Sequence, residues 1–544
     1  MNNIYKKIGL ATVLVVSLAL TSCSDFLTIK PLNDVVVENY WEKKSEVASV
    51  VASCYYDMQK AAFTQRLIAW GELRGDNVTE TSNLQNNTTT YDFFTNNITT
   101  NNYWNDWSAF YNVINLCNTV LYYAPQTQRV DGNFTEEELH SYEAEVKAIR
   151  SLCYFYLVRT FKKVPLVTTA SIGDDVDFKV PASSEEDVLA FIETDLKEAS
   201  QYIWNRTYFD DNADRKGRFN KQSVKALLAD VYLWEGKYQE CADLCGEILS
   251  EKKAEYEKQQ QEMEKGTYTS YTSNGSLSLY EGYPLIDGSQ SSHYAYNWLY
   301  YTGNSFESIL ELQFTQEANL ENSGITFFYG DRSNVGSGLL NAASFLCAND
   351  ASSLFSDEND ERLFENTGYE SGKTSSAYYV RKYRYYYGDS NQGTLRSTYA
   401  NWIVYKLTDV MLMRAEALAY LGGDANSEEA FSLVKAVNER YCGGESKLTY
   451  DASDIKKTVL DERQRETLFE GKRWYDLVRM VRHADDPVKA MSELRSSYLI
   501  RKYGRNGQDA VARMGSLNNL FLPYYQSEVD VNPLLKPDQN PSYQ

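Results

Sequence analysis

The stretch Gly217–Leu249, GRFNKQSVKALLADVYLWEGKYQECADLCGEIL, contains two runs of apolar residues at helical spacing, one on each side of a glycine. The first run includes Val224 and Leu228, and the second resumes at Cys241. Apolar residues at intervals of three and four place one face of a helix in a core. Gly236 interrupts the pattern between the runs, so the stretch predicts two helices joined as an antiparallel hairpin.

The order of small and aromatic residues in this hairpin resembles a tetratricopeptide unit, which is one helical hairpin of an α-solenoid. The residues concerned are Ala229, Tyr232, Gly236, Tyr238 and Cys241. A helical hairpin of any other α protein is the alternative interpretation. A single hairpin cannot bury its own apolar face, so further helices must surround it. The hairpin is therefore predicted to be scaffold, and the function is expected to reside elsewhere in the chain.

Similar periodicity recurs before and after the hairpin. It predicts helices beginning at residue 41 and covering residues 107–123, 136–161, 180–204, 400–441 and 454–481. Ser184 and Asp187 have the spacing of a capping box at the start of the helix in 180–204. Between residues 267 and 397 the helical period fades, and Gly, Ser, Tyr and Asn dominate around a strand-like run at 308–314. The sequence thus predicts a mainly α protein, in which tetratricopeptide-like hairpins form a scaffold for an irregular, loop-rich binding subdomain with a few short strands.

Composition argues against several classes of function. The chain has 54 Lys and Arg against 75 Asp and Glu, a net charge of -21, so a nucleic-acid partner is not expected. His140, His293 and His483 are far apart, and the cysteines lack a second pair at zinc spacing. Residues 210–214 resemble the start of a calcium loop, but Arg215 occupies the position that needs Gly. No catalytic residue, cofactor or metal ligand is predicted. A structural calcium ion stays an open alternative, although no motif supports it.

The N-terminus has the parts of a secretory signal peptide. Two lysines precede the apolar run 8–20, which is too short to span a bilayer. The following Leu20-Thr21-Ser22-Cys23 resembles a bacterial lipoprotein box, in which the Cys thiol is acylated and becomes the new N-terminus. Residues 1–22 are therefore predicted to be the signal peptide, Cys23 the lipid attachment site, and 23–40 a tether. An ordinary secreted protein with a chance Cys is the alternative.

Asparagine and aromatic residues are interspersed from residue 79 to residue 105, where Asn101 and Trp104 are examples. Amides both donate and accept hydrogen bonds, and aromatic rings offer flat apolar faces. This combination suits a sugar, which has a hydroxyl rim and an apolar C–H face. A surface loop with its aromatic residues packed beneath it is the alternative.

A second aromatic run precedes the strand-like segment. If this run is extended, Tyr296, Trp298 and Tyr300 share one face, because alternate residues of an extended chain point the same way. The three rings are expected to form either a row on which a ligand stacks or the inward face of a strand.

The chain is similar to the SusD/RagB family in a set of motifs spread in order over nearly the whole sequence. Together with the lipobox and the hairpin, these are Ala144-x3-Ala148-Ile-Arg150, Tyr154-Phe-Tyr156, Val164-Pro-Leu166, Met411-Leu-Met-Arg-Ala-Glu-Ala417, Glu462-Arg-x-Arg465-Glu466, Glu470-Gly-x-Arg473-x-x-Asp476, Asn532-Pro-Leu-Leu and Gln539-Asn-Pro-Ser-Tyr543. One departure is Ser542, where the tail of the family usually has Gly.

The resemblance implies an outer-membrane lipoprotein on the cell surface that binds oligosaccharide or polysaccharide and is not an enzyme. It also implies a partner, a SusC-like TonB-dependent transporter over which the protein lies as a lid and to which it delivers glycan. Peptide binding by the same architecture is the alternative, and a surface-anchored glycoside hydrolase is a weaker one.

The ligand site of this family lies on loops and its residues vary, so the resemblance carries over only the region. The candidate ligand-binding residues are Asp76, Asn77, Asn101, Trp104, Tyr296, Trp298, Tyr329 and Arg332. The expected segments after the tether are an N-terminal helical region, a loop-rich binding subdomain, C-terminal tetratricopeptide-like helices and a packed tail, at 41–260, 261–400, 401–482 and 483–544. The charges at 462–476 are interpreted as structural ion pairs, with Arg463 pairing with Glu466 and Arg473 with Asp476.

Overall fold

A computed structural model describes most of the chain between residues 40 and 543. The described ranges are 40–172, 179–205, 212–265, 275–288, 292–315, 320–330, 338–347, 354–355, 357–370, 377–383, 385–387, 393–395, 399–503 and 507–543. The predicted signal peptide, the lipid attachment at Cys23, nearly all of the tether and the candidate Arg332 lie outside the described residues.

The fold is mainly helical with a few short strands, as the sequence predicts. The α-helices are α1 (Lys44–Gln59), α2 (Ala61–Ile68), α3 (Ser82–Asn86), α4 (Thr88–Phe94), α5 (Ser108–Val130), α6 (Glu136–Phe161), α7 (Glu185–Tyr202), α8 (Asn212–Gly217), α9 (Lys221–Glu235), α10 (Tyr238–Glu264), α11 (Ser292–Tyr296), α12 (Ser323–Tyr329), α13 (Arg362–Asn366), α14 (Leu407–Leu421), α15 (Asp424–Glu439), α16 (Ile455–Glu466), α17 (Arg473–Arg482), α18 (Pro487–Glu493), α19 (Gly507–Ala512) and α20 (Gln526–Val531).

The predicted hairpin is present as α9 and α10. Gly236 ends α9 in the left-handed conformation at φ 78°, which a glycine adopts without steric cost. The hairpin continues a chain of packed helices, because α5 packs on α6, α6 on α7, α10 on α14 and α14 on α15. Ser184 begins α7 as predicted, since its hydroxyl accepts a hydrogen bond from Asp187 N at 3.1 Å.

The strands are short. They are β1 (Val78–Glu80), β2 (Val164–Pro165), β3 (Ala182–Ser183), β4 (Leu277–Tyr280), β5 (Tyr283–Ile286), β6 (Ser308–Leu312), β7 (Leu340–Ala342), β8 (Thr367–Glu370), β9 (Ala377–Val380), β10 (Tyr385–Tyr387), β11 (Gly393–Leu395) and β12 (Trp402–Lys406). One sheet has the order β1-β7-β9-β8, and the others are the antiparallel pairs β2-β3, β4-β5, β10-β11 and β12-β6. In the four-stranded sheet Val78 pairs with Ala342, so this sheet joins the N-terminal helical part to the loop-rich part.

Two sequence expectations about the C-terminal helices are wrong. The segment 402–406, predicted to be helical, is the buried strand β12, because it pairs with the distant β6. The single helix predicted at 454–481 is broken into α16 and α17 by a loop in which Phe469 and Gly471 have positive φ. The loop backbone runs directly against Gly71, where a Cβ atom would overlap the carbonyl oxygen of Gly471.

The charges of α16 and α17 form structural ion pairs, but with other partners than predicted. Arg463 donates to Asp476 at 2.7 Å, and Arg473 donates to Asp76 at 2.7 Å. Glu466 accepts from Arg440 at 3.0 Å rather than from Arg463. Each predicted pair lies within a single helix, α16 or α17, so the helix break does not separate its members. The difference arises because other elements place charged partners beside these residues, as Asp76 beside Arg473 and Arg440 beside Glu466.

Candidate ligand-binding surface

The most exposed aromatic ring in the predicted binding stretch belongs to Tyr103. It lies at the start of a short 3-10 helix, Tyr103–Asn105, and 43% of the residue is exposed. Asn102 caps this turn by accepting a hydrogen bond from Trp104 N at 3.0 Å, and its amide also donates to Thr89 O at 2.9 Å. The turn therefore holds the Tyr103 ring at a defined place on the surface.

The fully buried Arg66 of α2 supports the inner face of this ring. Its guanidinium carbon lies 4.6 Å from the centre of the Tyr103 ring, an arrangement that is attractive because the ring face is electron-rich. The same guanidinium donates to Tyr103 O at 3.2 Å and pairs with Asp106 at 3.1 Å. One face of Tyr103 is thus occupied and fixed in place, while the remainder of the ring is open to solvent.

The candidate Trp104, next along the chain, is buried with 2% exposure. Its indole N–H donates to the Thr90 hydroxyl at 3.1 Å, and its ring lies 6.1 Å from that of Phe327 and 5.5 Å from that of Phe328 on α12. Trp104 therefore packs inside the protein and cannot contact a ligand in this conformation. Phe327 itself is half-buried.

Several asparagines of the predicted binding stretch serve the fold. Asn87 caps α4, and Asn96 accepts from Arg74 at 3.2 Å. Asn105 donates to Thr99 O at 2.8 Å. The candidate Asn101 is exposed, as are Asn83, Asn86 and Asn97, and it lies two residues before Tyr103. Asn101 and Tyr103 together are a small version of the amide and aromatic combination that the sequence indicates.

The candidates Asp76 and Asn77 are completely buried. Asp76 accepts from Arg473 at 2.7 Å and from Arg501 at 2.9 Å. Burial opposes ionisation of Asp76, but the two guanidinium groups hold its pKa below the ordinary value. Asn77 donates to Glu72 at 2.6 Å, and burial raises the pKa of this glutamate to about 8. The prediction that Asp76 and Asn77 contact a ligand disagrees with their burial, because their polar atoms serve the core.

The aromatic run before β6 is helical rather than extended. It comprises α11 and the π-helix Asn297–Thr302, so residues four apart share a face and the expected row of alternate rings does not form. Tyr296 and Tyr300 face the core, with ring centres 5.1 Å apart, and both are buried. Trp298 lies on the other face with Tyr294, at 6.4 Å, and is half-buried. Of the predicted row, only Trp298 is therefore placed to meet a ligand.

Tyr329 is a further candidate that the fold buries. Its hydroxyl donates to Phe469 O at 3.1 Å, and its ring stacks on Tyr383 with centres 6.0 Å apart. It thereby anchors the loop between α16 and α17. Five candidates are thus buried, Asn101 and Trp298 reach the surface, and Arg332 lies outside the described residues.

Sequence reasoning did not select Tyr103, although the residue lies in the stretch that it identified. The signal available in the sequence is Asn102, because an asparagine that caps a turn can set the direction of the next side chain. Among the described residues, no group of three or more His, Cys, Asp or Glu side chains is arranged to hold a metal ion. None of the described helices is long and apolar enough to cross a membrane.

Comparison with known proteins identifies the class to which this fold belongs. The sequence model of the SusD family matches residues 246–543, more than half of the chain, and a model described as starch-binding associating with outer membrane matches residues 25–233. The chain belongs to the SusD family.

Relatives and solved structures cover nearly the full length. SusD-like protein P38 of Formosa agariphila is 25% identical over 504 residues, covering 87% of this chain and 92% of that protein. A laminarin-binding SusD-like protein has a similar fold, with a TM-score of 0.63 and 24% identity over 92% of this chain and all of that one. NanU of B. fragilis also shares the fold, with a TM-score of 0.66 and 19% identity over 95% of this chain and all of that one.

Proposed function

We propose that this protein captures oligosaccharide or polysaccharide at the cell surface and delivers it to a SusC-like TonB-dependent transporter in the outer membrane. The platform formed by Tyr103, with Asn101 beside it, is the observation that carries the proposal. An aromatic face held by a buried guanidinium loses little conformational freedom when a sugar ring stacks on it, so a small contact yields net affinity.

Family membership supports this assignment. The matching family description names starch binding and outer-membrane association, and one protein of the same fold is described as laminarin-binding. In the proposal the acylated Cys23 anchors the chain, Trp298 provides a second contact, and the protein binds its ligand without chemical conversion.

Native affinity electrophoresis of the soluble chain that begins at Ser24 tests the assignment. Gels containing plant, microbial or host polysaccharides are compared with a gel without polysaccharide. We expect retardation by one polysaccharide and no release of reducing sugar. Release of reducing sugar would indicate a hydrolase. If the protein bound no polysaccharide or oligosaccharide but did bind peptides, the peptide-binding alternative would be favoured.

The decisive variant is Tyr103→Ala, with Tyr122→Ala as its matched control. Both side chains are exposed, but Tyr122 lies on the scaffold helix α5. Loss of one stacking contact should weaken binding about fivefold to tenfold for Tyr103→Ala. Tyr122→Ala should bind normally. Equal affinity of both variants would remove Tyr103 from the site.

Anchoring is tested separately in the native host. Cys23→Ala should lose incorporation of labelled fatty acid and leave the outer-membrane fraction. Purification of the wild-type protein from detergent-extracted membranes tests the partner, because a TonB-dependent transporter should co-purify with it. If no such transporter co-purified, the delivery role would be contradicted.

A further inference from the structure

A small internal cavity of about 20 Å³ lies where α9, β12, α14, α16 and α17 meet. Its walls include Val404 and Met413 and several charged side chains. A cavity must offer roughly 10 to 15 Å³ of this kind of space to hold one water molecule, so the volume suits a single water and excludes a larger guest.

Four polar atoms of the residues that line this cavity are buried and have no hydrogen-bond partner in the described part of the chain. They are Asp230 Oδ1, Asp409 Oδ1, Arg463 Nη1 and Asp476 Oδ2. The other carboxylate oxygens are paired, since Asp409 Oδ2 accepts from Lys472 at 2.6 Å and Asp476 Oδ1 accepts from Arg463 Nε at 2.7 Å. A buried polar atom without a partner is costly, and most such atoms in proteins bond to protein or to ordered water.

The charges around the cavity determine which guest it can hold. The lining cations are Arg159, Arg463, Lys472 and Arg479, and the lining anions are the three aspartates. Two further carboxylates pair with these cations, Glu416 with Arg479 at 2.8 Å and Glu470 with Lys472 at 3.2 Å. A cation in the cavity would face the Arg463 donor, and an anion would face three carboxylates, so both are disfavoured.

We propose that the cavity binds one structural water molecule. This water accepts a hydrogen bond from Arg463 Nη1 and donates its two protons to two of the three unpaired carboxylate oxygens. It thereby joins α16 to the neighbouring helices at the point where the loop 467–472 leaves the scaffold. Water both accepts and donates hydrogen bonds and fits so small a volume.

A crystal structure of the wild-type protein at a resolution that reveals ordered water tests this directly. We expect one density peak at about 2.7 to 3.2 Å from Arg463 Nη1 and from at least one of Asp409 Oδ1 and Asp476 Oδ2. Direct pairing of Arg463 Nη1 with a carboxylate, or an empty cavity, would overturn the proposal. Metal-type distances of about 2.0 to 2.5 Å would do so as well.

Magnetic relaxation dispersion of water in solution gives an independent test. Val404→Ile adds a methylene at the cavity wall, whereas Val404→Ala enlarges the cavity, and both variants keep every charged group. We expect Val404→Ile to lose one long-lived water relative to the wild type and Val404→Ala to keep it. An unchanged number of long-lived waters in a folded Val404→Ile protein would contradict the assignment.

Discussion

The guanidinium group of Arg66 lies 4.6 Å from the centre of the Tyr103 ring and donates to the carbonyl oxygen of the same residue at 3.2 Å. A buried side chain thus controls both the position of an exposed aromatic ring and the turn that carries it. The surface residue and its support come from two segments, α2 and the 3-10 turn, that are separated by the whole of β1, α3 and α4.

Replacing this support should weaken ligand binding without removing a ligand contact. We expect Arg66→Met to lower glycan affinity, because the Tyr103 ring would lose its fixed orientation. We also expect it to lower the free energy of unfolding by about 2 to 4 kcal/mol, since Asp106 loses its partner. Affinity electrophoresis and urea unfolding measure the two effects. The exposed Arg129 offers a control, and Arg129→Met should match the wild type in both.

The two tryptophan candidates should respond in opposite ways to substitution. Trp104 is almost completely buried, so Trp104→Ala should lower the free energy of unfolding by about 3 to 5 kcal/mol. Trp298 is half-buried, so Trp298→Ala should reduce glycan retardation with a smaller loss of stability. Chemical denaturation and affinity gels of the two variants provide the comparison. A Trp104→Ala protein of normal stability would show that Trp104 is not packed in the core.

Gly71 lies so close to Gly471 that no side chain should be tolerated at position 71. Gly71→Ala would drive a Cβ atom into the carbonyl oxygen of Gly471, so we expect a loss of several kcal/mol or failure to fold. Gly132→Ala is the matched control, because a Cβ atom at Gly132 meets no atom within 4 Å. Thermal unfolding should separate the two variants clearly. Similar midpoints would argue against the contact.

His483 should make the scaffold sensitive to acid. Burial and the nearby Arg479 lower the pKa of His483 to about 4, below the ordinary 6.5, and its ring accepts a hydrogen bond from Tyr238 OH at 2.9 Å. Between these two values the unfolded chain binds a proton that the folded chain does not. The free energy of unfolding therefore falls as the pH falls through this window.

The contribution of His483 should amount to about 2 kcal/mol between pH 7 and pH 5. His483→Gln should show a correspondingly weaker loss of stability over this range in urea unfolding at each pH. Gly132→Ala should keep the wild-type slope, because it changes no titratable group and its added Cβ atom meets no atom within 4 Å. A wild-type slope in His483→Gln would place the acid sensitivity on other groups.

Local patterns predicted the helical scaffold well. The hairpin of α9 and α10, the turn at Gly236 and the cap at Ser184 follow from apolar spacing and from the conformations of individual residues, which depend mainly on near neighbours. The predictions for 402–406 and 454–481 are wrong because contacts with distant segments determine the local structure there. These contacts are the pairing of β12 with β6 and the approach of Gly471 to Gly71. The division of the chain into four segments after the tether stays a prediction.

The sequence by itself determined the fold class and the family, because these depend on periodicity and on motifs spread along the chain. It also determined that the stretch 79–105 is rich in amides and aromatic rings. Only the tertiary structure decided which of these groups face solvent. Trp104 is covered by Phe328, which is more than two hundred residues away along the chain. Its neighbour Tyr103 packs one ring face on Arg66 and remains exposed. The exposure of a side chain depends on contacts with distant segments, and no local pattern contains them.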